Sequence, residues 1–96
     1  MELLRHQRRL TSSVSWPADI DRRLNILVRA AAAGGERTSR AEILAALVAA
    51  AEVDPEDLTS LLHRYRRLPA EALADDAERD DLPIVPTPGP RRIPHP

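Results

Sequence analysis

Three arginines within the first nine residues, Arg5, Arg8 and Arg9, stand against a single carboxylate, Glu2. A guanidinium is planar and always charged, and its fork of donors matches the oxygens of a phosphate or carboxylate two at a time. Later in the chain the sign reverses: Glu71, Asp75, Asp76, Glu78, Asp80 and Asp81 face only Arg79. The front can meet a polyanion, and the later stretch cannot. All 14 basic side chains are arginine, which suits phosphate recognition and equally fits a GC-rich coding sequence.

The other reactive residue types are scattered. His6, His63 and His95 form no His-x-x-x-His pair, and the chain has no cysteine, so neither a thiolate zinc site nor a thiol nucleophile is available. The acidic run Asp75 to Asp81 lacks the glycine and closing glutamate of a calcium loop. No glycine-rich phosphate loop or nucleophile elbow occurs. The expectation is a binding protein with no catalytic residues, no metal and no cofactor.

A chain of 96 residues with net charge -1 and 9 prolines holds at most one small domain. Its C-terminal third is too polar and proline-rich to add to a core, so folding calls for a partner. No apolar run is long enough to span a bilayer, and MELLRHQRRL lacks the apolar segment of a secretory signal. These features predict a soluble, cytoplasmic protein.

Residues 1–9 read as a basic arm with a transient helical turn. Residues 10–16 read as a short strand, because Ser13 and Ser15 alternate with Val14 and Trp16 at the period of a half-buried sheet. Pro17 suits a helix start, and Ile20, Leu24, Leu27, Val28 and Ala31 then recur on one helical face until Gly34 and Gly35. Ser39 with Glu42 matches a capping box, opening a second helix with the apolar face Ile43, Leu44, Leu47, Val48 and Ala51. Asp54 and Pro55 start a third, with Leu58, Leu61, Leu62, Tyr65 and Leu68, which Pro69 closes. An acidic stretch from Ala70 holds at most a helical turn. From Pro83 the run LPIVPTPGPRRIPHP predicts a disordered, partly polyproline-II tail, with a P-x-x-P at Pro83 and Pro86 beside Arg91 and Arg92.

A strand, then W-P-x-x-I-D-x-x-L, then a glycine turn, then R-T-S-R-A-E-I-L, resembles the ribbon-helix-helix family of DNA-binding proteins over residues 10–51. The fold this implies is mostly α with one short β-strand. Two chains pair their strands into an intermolecular antiparallel ribbon over interlocked helices, with an extra helix at 52–69 and an acidic linker and disordered tail at 70–96. Pairing with a second copy would satisfy the backbone of a lone strand. The resemblance puts Val14, Trp16, Ile20, Leu24, Leu27, Val28, Ile43, Leu44, Leu47 and Val48 in the dimer core. It places Thr11, Ser13 and Ser15 on the ribbon face that reads bases in the major groove. It sets Thr38, Ser39 and Arg40, with Arg37, at the helix terminus that holds a phosphate, and the arm's Arg8 and Arg9 are further phosphate contacts. Serine and threonine discriminate bases weakly, which shifts weight to DNA shape, water bridges and side-by-side dimers.

The function this implies is a sequence-specific, homodimeric transcriptional regulator, a repressor on double-stranded DNA in the nucleoid, able to assemble further along it. Three alternatives stand beside it: an antitoxin that wraps a toxin with residues 52–96, a plasmid partition protein, and a helical interaction protein with no nucleic-acid role. The charge asymmetry adds an expectation that the acidic linker competes with DNA for the basic front.

Overall fold

The computed structural model describes residues 1–77 and 79–85. Its centre is helix α1, Ala18–Ala33. Pro17 caps it at φ -58, and Asp19 and Asp21 in the first turn complement the positive end of the helix dipole. The helix stops where Gly35 takes a positive φ of 88. There the Glu36 N–H reaches back to the Ala31 carbonyl at 2.9 Å and the Gly35 N–H to Ala32 at 3.0 Å. This is a Schellman closure, which glycine enters without a Cβ penalty.

Helix α2, Arg40–Ala50, begins at Ser39, whose hydroxyl accepts the Glu42 N–H at 3.1 Å. The Glu42 carboxylate in turn accepts the Thr38 hydroxyl at 2.6 Å. Helix α3, Pro55–Arg67, begins at Asp54, which accepts the Asp57 N–H at 2.9 Å. Past Leu68 and Pro69 the chain reverses through Glu71, held at φ 67. It then enters a single short turn of helix, α4, Ala74–Ala77.

Among the described residues, α1 is the only helix that packs against two others, α2 and α4. The buried side chains are Leu24, Ile26 and Val28 of α1 and Leu82 from the returning segment. Among the described residues α3 packs against no other helix; its Tyr65 and the following Leu68 border a groove with Pro17 and Ile20. The radius of gyration is 16.1 Å, against about 12.5 Å for a compact chain of this length. The single chain is therefore open.

The ribbon-helix-helix architecture is not what this chain forms. The described residues are helical and contain no β-strand. Residues 7–17 form no helix or strand. The alternation in SSVSW gives a strand only if one face has something to cover it, and here both faces meet solvent: Val14 is 65% exposed. Trp16 is half-buried, and its indole N–H donates to the Asp21 carboxylate at 3.2 Å. That contact ties the segment to α1 and leaves its backbone without a ladder.

The acidic stretch from Ala70, read from sequence as a linker, packs on α1 through α4 and through residues 79–83, which Arg29 holds. The Pro-rich tail from Pro86, with Arg91, Arg92 and His95, lies outside the described residues.

Candidate nucleic-acid interface

The basic arm contains one 3-10 turn, Leu4–His6, and is exposed throughout. The Arg9 guanidinium donates to the Arg5 carbonyl at 3.2 Å, and Arg5, Arg8 and Arg9 form no ion pair among the described residues. Their positive charge remains available to an external anion. Thr11, Ser13 and Ser15 follow in the coil after that turn, with exposed side chains.

The start of α2 is arranged differently. Arg37 and Ser39 are exposed, and Thr38 is half-buried. Arg40 turns inward. Its guanidinium donates to the Asn25 amide oxygen at 2.5 Å and to the Asp21 carbonyl at 3.2 Å, and it pairs with the Asp21 carboxylate. Asp21 thus collects both Arg40 and the Trp16 indole, and these hydrogen bonds, Arg40 first, hold its carboxyl below the usual carboxylate value. Of the residues assigned to phosphate, Arg40 fastens α2 to α1, whereas Arg8, Arg9 and Arg37 stay at the surface.

A second set of clasps holds the returning acidic segment, and the sequence gives little sign of it. Arg29 grips three carbonyls, Pro83 at 2.9 Å, Leu82 at 3.0 Å and Arg79 at 3.1 Å. Arg23 pairs with Asp76. The Asp19 carboxylate accepts the Glu71 N–H at 2.9 Å, and this bond is the main reason its pKa is lowered. Arg79 and Asp81 form a bidentate pair at 3.0 and 2.6 Å that lowers the Asp81 carboxyl. The one advance signal is Ile26. It lies two residues from both Leu24 and Val28, off their helical face, and an apolar residue there marks a second buried side.

The side chains assigned to a dimer core divide into two groups. Leu24 and Val28 are buried within the single chain, and Trp16, Ile20, Leu27 and Ile43 are half-buried. Leu44, Leu47 and Val48 are exposed, Leu47 by 53% and Val48 by 69%. α2 is apolar nearly all round yet has no buried residue. A helix of that composition is ordinarily enclosed by protein.

Among the described residues no three His or carboxylate side chains gather as a metal site, and no helix is long and apolar enough to cross a membrane. Comparison of the chain with models of known protein families, with curated proteins and with solved structures brings no match.

Proposed function

We propose that this chain binds double-stranded DNA as a homodimer and regulates transcription by occupying its site, on the nucleoid. The observation that carries this reading is the free basic arm: Arg5, Arg8 and Arg9 have no carboxylate partner among the described residues, while Asp19, Asp21 and Asp76 are engaged by Arg22, Arg40 and Arg23. In this reading the arm lies along phosphates, with Arg37 as a further contact, and the hydroxyls of Thr11, Ser13 and Ser15 hydrogen-bond the DNA beside it. The exposed apolar faces of α2 and α3 are surfaces that a second copy can cover.

A protein-binding module without nucleic acid is the second reading, and the exposed apolar residues of α2 and α3 favour it. A salt-dependent titration separates the two. The full chain should bind duplex from upstream of its own gene more tightly than a scrambled duplex, with affinity falling steeply as salt rises. Replacing Arg5, Arg8 and Arg9 by alanine should flatten the salt slope by about 0.9 for each phosphate that is no longer neutralised. Absence of binding at low salt, or a slope unchanged by the triple substitution, would overturn the DNA reading. Arg40→Ala is unsuited to this test, since it releases α2 from α1 before it touches DNA.

A further inference from the structure

α3 presents Leu58, Leu61, Leu62 and Tyr65 along one face, 40 to 52% exposed, with no other helix packed on it among the described residues. It is also polarised. Asp54, Glu56 and Asp57 crowd its N-terminal end, and Arg64, Arg66 and Arg67 its C-terminal end. The helix dipole accounts for the signs of these charges but leaves the apolar face uncovered.

At 100° per residue, Asp57 and Arg64, seven apart, fall on the same edge of the apolar face, two turns from each other. Neither forms an ion pair among the described residues. When two identical helices pack antiparallel, each edge meets its own counterpart running the other way, so the acidic end of one faces the basic end of the other. Packed parallel, the edge that carries Asp57 and Arg64 meets the opposite edge of the partner, and the two acidic ends lie together, as do the two basic ends. The midpoint between Asp57 and Arg64 lies within about one helical rise, 1.5 Å, of the midpoint between Leu58 and Tyr65. One two-fold axis near Leu61 therefore serves the apolar contacts and both charge pairs.

We propose that α3 is a homotypic interface, pairing antiparallel with α3 of a second copy so that Leu58, Leu61, Leu62 and Tyr65 are covered and Asp57 of each chain meets Arg64 of the other. This gives a closed, isologous contact. It deepens the dimeric part of the reading above and assigns it to a helix that carries none of the residues placed on the DNA there.

The test is sedimentation equilibrium of the full chain without DNA, comparing wild type, Asp57→Arg, Arg64→Asp and an equimolar mixture of the two variants. Each variant alone places like charges at both ends of the interface and should dissociate about tenfold more readily. In the mixture the arginine introduced by Asp57→Arg faces the aspartate introduced by Arg64→Asp, and the unchanged Arg64 of the first variant faces the unchanged Asp57 of the second. Wild-type association should therefore return as a heterodimer. Leu61→Glu should be monomeric at every concentration where wild type is dimeric. Recovery on mixing also excludes misfolding as the cause of the single-variant defects. A monomeric wild type, single variants as tightly dimeric as wild type, or a mixture no better than its components would each overturn the proposal. Failure of the wild-type chain to bind duplex at low salt, with the dimer intact, would defeat the function and leave this interface standing.

Discussion

α1 and α3 are amphipathic helices of comparable length, 16 and 13 residues, and each has a sound cap, yet only α1 is covered. The difference lies in what surrounds the apolar face. From α1, Asp19, Asp21, Arg23 and Arg29 reach segments far along the chain, and Asn25 receives Arg40. Glu56, Asp57, Arg64 and Arg67 of α3 make no such long-range bonds among the described residues. In a chain too small to enclose every apolar face, polar clasps select which helix is packed within it. The remaining faces are left for a second molecule.

The sharpest test of that contrast is truncation of one leucine on each helix. Leu24→Ala, at a site 6% exposed, should lower unfolding free energy by about 2 to 3 kcal/mol in urea titrations. Leu62→Ala, measured below the dimerisation concentration, should change it by less than about 0.5 kcal/mol. Equal losses would mean that α3 is part of the monomer core.

Acid should release the clasps together. Asp19 and Asp21 have pKa values lowered from 3.8 in the folded chain, so they contribute stability that is present above that value and lost as pH falls through their folded values. Trp16 fluorescence, which reports on the Asp21 contact, should therefore change below pH 3.8 and stay constant between pH 5 and 8. A transition near neutrality would break the assignment.

Arg29→Ala removes one side chain that holds three carbonyls, and should cost about 1 kcal/mol. Amide exchange over residues 79–85 should quicken, with α2 unaffected. The smallest effect is expected at the chain reversal. Glu71 adopts φ 67, so Glu71→Gly should raise stability by about 0.5 kcal/mol in the same urea titrations, relief of left-handed strain exceeding the added freedom of the unfolded chain.

Much of the helical framework was legible because its signals are short-range. Ser39 and Asp54 each accept an N–H three residues ahead, Pro17 and Pro55 stand at helix starts, and Gly35 closes α1. The period-two run was misleading for the same reason: alternation describes a strand only when a partner and a cover exist, and those are not local properties. Arg40 illustrates the limit at the candidate interface. Its place at a helix start looks like a phosphate ligand, and whether it faces outward depends on Asp21 and Asn25, which lie a helix away.

The sequence by itself determined where α1, α2 and α3 begin and end, which faces are apolar, and that positive charge gathers at the front and negative charge later, since each follows from residues within a few positions of one another. Only the tertiary structure decided that residues 10–16 remain unpaired coil, that Ile26 and Leu82 are buried, that Arg23 and Arg29 draw the acidic segment onto α1, and that α3 is left bare. Those outcomes rest on contacts between segments some 50 residues apart, such as Arg29 with Leu82. No local pattern specifies which distant segment will arrive.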